Sequence, residues 1–479
     1  MFLSLFISRL ILKNLGALDY GVYGVVGSIV TMFTFFNMAM TTAGQRCLSV
    51  ELGKVNGNFS KVFSTLLVIC LVIALVVTII LQVFGPQFIE KLNIPENRIE
   101  VAKVIFHASC ITFVLNTLQI PFTASLISNE KISSYSLITL LDIFLRFFLA
   151  FGLSYVLAEK LSFYAYGIAF ITLFVLLINV FISLSNSRLV FTFERKYYKE
   201  IGSFFGWNLL GGLASVSLYQ GIQIVLNLFF NPVVNAAQSL TIQIKSAIEG
   251  FAANIRTASN PQIIKNCVGG NIQSIIELLN ITTKLSTIVI LVIAVPLFFR
   301  IDFILKFWLG APPDYTALFI KLYLINAIID VVTSPLVTVI QAIGNLKIYQ
   351  VLTSVVLLSV IPISYILFEN NFPPQAYTIV LICATILTMI IRVGFIFKIL
   401  KIAKIKFFLS VINQILIVPL ISYLILYFVN SNFTDNLIGL VLFSITSSFV
   451  ILSVSYIVIL NKLEKTKIKM MFLAKLKNN

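Results

Sequence analysis

"LILKNLGALDYGVYGVVGSIV", residues 10–30, decides how the whole chain is read. It opens and closes as lipid-buried helix, yet Lys13, Gly16, Asp19, Tyr20 and Gly21 interrupt it, and Gly24 and Gly27 follow inside the second apolar run. Composition says in which solvent that break must be understood. The chain has 479 residues, 59% hydrophobic and 11% charged, with a mean hydropathy of +1.03. Soluble domains carry about 45–50% apolar and 25% charged residues. Apolar runs of about 20 residues, the length that crosses a bilayer core, recur throughout. The sequence is that of an all-α, polytopic membrane protein, with no stretch left over for a soluble domain.

Hydropathy predicts about fourteen transmembrane spans, at 1–12, 21–42, 62–84, 103–127, 133–157, 162–185, 204–230, 234–255, 277–299, 315–343, 349–368, 376–397, 407–429 and 437–460. The first is short, because twelve residues rise only about 18 Å. Either apolar residues precede Met1 or helix 1 is truncated and tilted. Arg9 and the lack of a small-residue cleavage site argue against a signal peptide. Between the first two spans the chain is expected to reverse at the outer surface. Gly16 and Gly21 supply permissive backbone there, and Asp19 is expected to cap the next helix. Gly24, Gly27 and Ser28 are expected to let that helix approach a neighbour closely.

The net charge of +16 follows topology. With both termini inside, 22 of the 34 Lys and Arg lie on cytoplasmic segments, Lys284 counted among them, and 7 lie outside. This is the positive-inside pattern, so the basic tail reads as a contact with anionic lipid or a topology signal and not as a nucleic-acid arm.

Little points to catalysis. Cys47, Cys70, Cys110, Cys267 and Cys383 are scattered singly, and His107 has no partner nearby in sequence, so neither a disulfide nor a metal site is expected. There is no Gly-rich phosphate loop and no Ser/His/Asp set. The longest outward segments, 85–102 and 300–314, are too short for the catalytic loop of a membrane polysaccharide polymerase. A transporter is expected.

The hydrophilic stretch "SNSRLVFTFERKYYKEIGS", 185–203, divides six helices from eight. An internal echo supports two pseudo-symmetric six-helix lobes: "ELGKVNGNFSKVFSTLL" (51–67) is answered by "QIIKNCVGGNIQSIIELL" (262–279). The expected organisation is an N-terminal lobe at 1–185, a cytoplasmic linker at 186–203, a C-terminal lobe at 204–397, and two added helices with a basic tail at 398–479. Pro296, Pro335, Pro362 and Pro419 are expected to bend helices.

Ionisable groups inside spans are the functional candidates, since each costs about 2.5–3.5 kcal/mol at mid-bilayer on insertion scales. Asp142 and Arg146, and Lys245 and Glu249, are pairs four residues apart and share a helix face. Asp330 has no opposite charge within a turn and is the candidate for a lone cation or proton site. Arg9, Lys321 and Arg392 lie near span ends and are expected to snorkel. Arg46 and Arg256 occupy equivalent cytoplasmic helix ends in the two halves.

Two blocks resemble a known family. "RLILKNLGALDYGVYGVVGSIVTMFTFFNMAMTTAGQRCLSVELGK" (9–54) is similar to the first hairpin of bacterial polysaccharide, or O-antigen, flippases of the Wzx type. "ILKFWLGAPPDYTALFIKLYLINAIIDVVTSPLVTVIQAIGNLKIYQ" (304–350) resembles their WLG-x-x-P-x-Y segment and A-x-G-x-x-K-x-Y turn. The resemblance implies the multidrug/oligosaccharidyl-lipid/polysaccharide exporter superfamily. Its substrate would be an undecaprenyl-pyrophosphate-linked oligosaccharide, carried across the bacterial cytoplasmic (inner) membrane by alternating access. Arg46, Arg146, Lys245 and Arg256 would hold pyrophosphate or glycan, and Asp142, Glu249 or Asp330 would bind a coupling ion, H+ or Na+, with no other cofactor. Partners would be membrane lipids and other polysaccharide assembly proteins. The alternatives are a drug/cation antiporter or a peptidoglycan-precursor flippase of the same superfamily.

Overall fold

The computed structural model describes residues 2–53, 58–129, 131–184, 190, 194–268, 272–343, 346–400, 417–459 and 465. Among them every regular element is helical. In chain order these are α1 (Phe2–Thr31), α2 (Thr34–Gly53), α3 (Phe59–Lys91), α4 (Ile99–Ser128), α5 (Ile132–Gly152), α6 (Lys160–Leu184), α7 (Arg195–Phe229) and α8 (Pro232–Val268). They continue as α9 (Ile272–Leu309), α10 (Thr316–Ile343), α11 (Leu346–Leu358), α12 (Val360–Glu369), α13 (Ala376–Leu400), α14 (Val418–Asn430) and α15 (Leu437–Val458). Ten of the described helices are long and apolar enough to cross a membrane, or up to eleven if the bent α1–α2 pair is one span. The chain is a multi-pass membrane protein. Residues 401–416 lie outside the described residues, so only the C-terminal half of the expected 407–429 span is described, as α14. The expected span at 234–255 lies in α8, which is too polar to count among the ten.

The opening stretch differs from its expected form. Residues 13–20 are helical, and the interruption narrows to one residue, Gly16, at φ 80° and ψ 170°. That backbone costs an L residue strain and glycine almost none. A second break of 51° separates α1 from α2, where neither glycine nor proline stands. Hydroxyls account for it: Ser28 Oγ donates to the Val25 carbonyl, Thr31 Oγ1 to Gly27 and Thr34 Oγ1 to Thr31. Back-bonding of this kind competes with the helix ladder and bends it. Asp19 is no cap. It lies within α1, nearly buried, and pairs with Arg98 at 3.0 Å.

The small residues of α1 divide by role. A Cβ on Gly21 would overlap the Pro232 carbonyl, and one on Gly24 would come within 2.7 Å of Ser239 Oγ, so both mark close contact with α8. Gly27 is different, because a Cβ there meets nothing within 4 Å. It opens on a cavity.

Contacts divide the chain into two compact units. The first comprises Met1–Leu240, Pro313–Thr316 and Leu357–Tyr377. Its core forms where α1, α3, α4 and α6 pack around Val25, Val26, Ile105 and Phe106, and where α2, α3 and α4 pack around Leu48, Phe63 and Leu66. The α7–α8 hairpin is pinned by buried amides. Asn235 Nδ2 donates to the Gln223 carbonyl and side chain at 2.6 and 2.7 Å, and Asn227 Oδ1 accepts from the Asn93 backbone at 2.8 Å. The second unit comprises Thr241–Pro312, Ala317–Val356 and Thr378–Asn479, with a core of Ile275, Leu279, Val332, Leu336, Val339 and Ile396. Within it, α9 breaks at Arg300, one turn beyond Pro296, and Pro419 sits in the first turn of α14, where its missing N–H costs nothing.

Candidate functional site

The polar residues of the first unit's spans fall at helical spacing. On α2 these are Asn37, Thr41 and Gln45; on α4 Asn116, Gln119 and Thr123; on α5 Tyr135, Thr139, Asp142 and Arg146; on α6 Thr172 and Asn179. Intervals of three, four and seven keep each set on one face of its helix. The four faces converge on a cavity of about 300 Å3. A second cavity, of about 310 Å3, adjoins it on the α1 side, lined by Tyr23, Gly27, Ser28 and Thr31 and sharing Asn37, Asn116 and Arg146 with the first.

Arg146 stands where the two cavities meet. It lies near the middle of the span Ser133–Tyr155, and its Nε donates to both Asp142 carboxylate oxygens, at 3.0 and 2.9 Å. The pair expected from the sequence is formed. The guanidinium is engaged through Nε only, so among the described residues its two terminal nitrogens have no hydrogen-bond partner. They form a planar fork of donors suited to an oxygen-rich group. Both members are about one-third to one-quarter exposed, which keeps them in reach of a ligand.

Two lining amides have unfilled hydrogen-bonding capacity, one of them fully buried. Asn37 Oδ1 accepts from Thr117 Oγ1 at 2.9 Å, which leaves its Nδ2 donors without a described partner. Asn179 is fully buried, donates to the Val175 carbonyl at 2.9 Å, and has an Oδ1 with no hydrogen bond. A buried polar atom without a partner is costly unless something else completes it.

Residues 1–156 match the MatE family model. No curated protein matches the chain. Solved structures do. The lipid II flippase MurJ, in an inward closed conformation, superposes with a TM-score of 0.74 at 18% identity, covering 95% of this chain and 96% of that one. A multidrug resistance MATE family transporter of the MOP superfamily, facing inward, gives 0.73 at 12% identity over 84% and 95%. A MOP superfamily transporter from Pyrococcus furiosus gives 0.54 at 13% identity over 84% and 93%. The chain has the fold of these transporters. The MatE match spans α1 to α5 and ends before α6, and the cavities are lined from α1, α2, α4, α5 and α6.

The remaining sequence candidates lie elsewhere. Lys245 and Glu249 on α8 pair at 3.5 Å, and Lys245 Nζ sits 5.6 Å from the centre of the Tyr323 ring of α10, with only 10% of its side chain exposed. Asp330 is not a lone carboxylate. Arg392 Nη1 reaches it at 2.8 Å from α13 and also bonds Thr333 Oγ1, while Arg392 Nε donates to the Tyr349 hydroxyl at 3.3 Å. Arg392 therefore does not snorkel, because an acid 62 residues away in sequence holds it inside the second unit. Lys321 pairs with Asp302 at 3.0 Å. Arg46 is exposed near the end of α2. Arg256 belongs to α8, but its side chain lies outside the described residues. Lys284, counted with the cytoplasmic charges, is instead buried within α9.

The cavity amides were missed by a search for charge alone. Their signal was present as polar positions recurring every three, four or seven residues in otherwise apolar helices. Arg300 was missed as well. Its side chain is 7% exposed, it pairs with Asp435, and its Nη2 donates to the Asn430 and Phe433 carbonyls at 2.9 and 3.0 Å, fastening the α14–α15 connection to α9.

Proposed function

We propose that this protein is a flippase that carries an undecaprenyl-pyrophosphate-linked oligosaccharide from the inner to the outer leaflet of the bacterial cytoplasmic membrane. The observation that supports this most is the Arg146 fork, open at mid-span in a cavity lined with amides and hydroxyls. A polar headgroup can be desolvated there while its lipid tail stays in the bilayer. Alternating access of the lobes 1–185 and 204–397 about the linker 186–203, with 398–479 appended, would move it across. Arg46, Lys245 and Arg256 complete the proposed headgroup path. Asp142, Glu249 and Asp330 are the proposed carboxylates for a coupling ion, H+ or Na+, and other polysaccharide assembly proteins are the proposed partners.

A drug/cation antiporter would be served by a cavity of net negative charge, and the guanidinium beside Asp142 counts against that. The MurJ likeness keeps a peptidoglycan precursor as the second reading. Export assays separate the possibilities. Arg146→Gln should abolish glycan export while the protein still inserts and accumulates, and Arg146→Lys should restore it in part, since charge survives but the fork is lost. Normal export by the double variant Asp142→Asn/Arg146→Gln would overturn the binding role of the pair. Rescue of cells depleted of their lipid II flippase, without effect on glycan export, would favour the second reading.

A further inference from the structure

We infer that the first unit's cavity is the subsite for the sugar portion of the substrate, an uncharged or N-acylated hexose, and not for its pyrophosphate; this rests on the flippase reading above. Charge is the first argument. The cavities are lined by one cation, Arg146, and one anion, Asp142, with the carboxylate 2.9 Å from the guanidinium Nε. The pair is neutral as a whole. A multiply charged pyrophosphate entering here would meet a half-buried carboxylate beside an already compensated cation, in a setting where unpaired charge is expensive. An organic cation would meet the same obstacle reversed, with the exposed fork of Arg146 facing it.

Hydrogen-bond chemistry is the second argument. Sugar hydroxyls both donate and accept, so they need a wall that offers both. The Arg146 terminal nitrogens and Asn37 Nδ2 are donors without described partners, and the part-exposed Asp142 carboxylate is the acceptor beside them. Asp142 accepts hydroxyl protons, and amides such as Gln119 pair either way or with an N-acyl group. Phosphate oxygens only accept, so the Asp142 carboxylate would face them unsatisfied. Tyr23 and Tyr135 add aromatic surface for the apolar face of a ring. Size is the third argument. Cavities of about 300 and 310 Å3 lie at the small end of the roughly 300–1,000 Å3 of ligand clefts and suit one or two sugar residues.

The test places a single cysteine in the cavity, Asn116→Cys, in a chain whose five native cysteines are replaced and which still exports glycan. Its reaction with a polar methanethiosulfonate is followed in membranes. The lipid-linked oligosaccharide extracted from the producing cells should slow labelling about tenfold, whereas undecaprenyl pyrophosphate without glycan should leave the rate unchanged. Equal protection by both overturns the inference and makes the cavity a pyrophosphate site. Protection by neither, with export still dependent on the protein, also overturns it but leaves the flippase reading standing. Export that proceeds normally without the protein removes the flippase reading itself. Thr123→Cys, on the same face of α4, serves as the second probe if Asn116→Cys fails to accumulate.

Discussion

Arg392 on α13 donates to Asp330 on α10 at 2.8 Å, and the same nitrogen lies 2.8 Å from Thr333 Oγ1. The arginine is 14% exposed in its side chain and the aspartate 37%, so the burden of desolvation falls on the cation. Removing the acid should therefore cost more than removing both. Asp330→Asn is expected to lower stability in detergent toward the lower end of the roughly 3–5 kcal/mol for stranding a buried charge. Asp330→Asn/Arg392→Gln should recover most of it. Thermal unfolding followed by size-exclusion chromatography reads both, and a double variant as unstable as the single would show that the pair is not the issue.

Arg98 joins two carboxylates of unequal burial. It lies 3.0 Å from Asp19, whose side chain is 9% exposed, and 3.1 Å from Glu159, which is 45% exposed. Glu159→Gln should be nearly silent, within about 1 kcal/mol, as exposed pairs generally are. Arg98→Gln should be clearly worse, because it leaves Asp19 buried and unpaired beside the Gly16 break. The same unfolding assay ranks the two, and equal losses would contradict the burial argument.

Three of the four glycines of α1 should respond differently to alanine. Gly21→Ala forces its Cβ into the Pro232 carbonyl and requires backbone movement, so the protein should accumulate poorly. Gly16→Ala should cost about 1–3 kcal/mol, because φ 80° with ψ 170° lies in a region essentially confined to glycine. Gly27→Ala meets nothing within 4 Å and should fold normally, with any loss confined to export, since it narrows the cavity. Abundance by immunoblot beside an export assay distinguishes the three.

Arg300 should act locally. Arg300→Ala frees the Asn430 and Phe433 carbonyls and Asp435, so hydrogen exchange should quicken across residues 430–437. Arg300→Lys should not restore protection, because one ammonium cannot reproduce the planar fork that bonds two carbonyls and a carboxylate together. Unchanged exchange in both variants would show that the α14–α15 connection holds itself.

The class of the protein, and where most of its helices run, could be read from residues 1–479 without any coordinates. Lipid offers no hydrogen bonds, so each crossing segment must satisfy its own backbone and present an apolar surface, and both demands are local. The expected spans 133–157, 315–343 and 376–397 accordingly overlie α5, α10 and α13 with small shifts at the ends. The Asp142–Arg146 contact was legible for the same reason, because four residues on a helix amount to one turn. Contacts between distant residues were not legible. Nothing in the order of residues tells Asp330 that Arg392 will face it, Asp19 that Arg98 will, or Arg300 that Asp435 will. A helical period shows that Asn37, Gln119, Arg146 and Asn179 each belong to a polar face, but it leaves the rotation and neighbours of every helix open. Packing of the apolar faces sets those rotations, and in doing so it gathers four polar stripes around a single fork of donors.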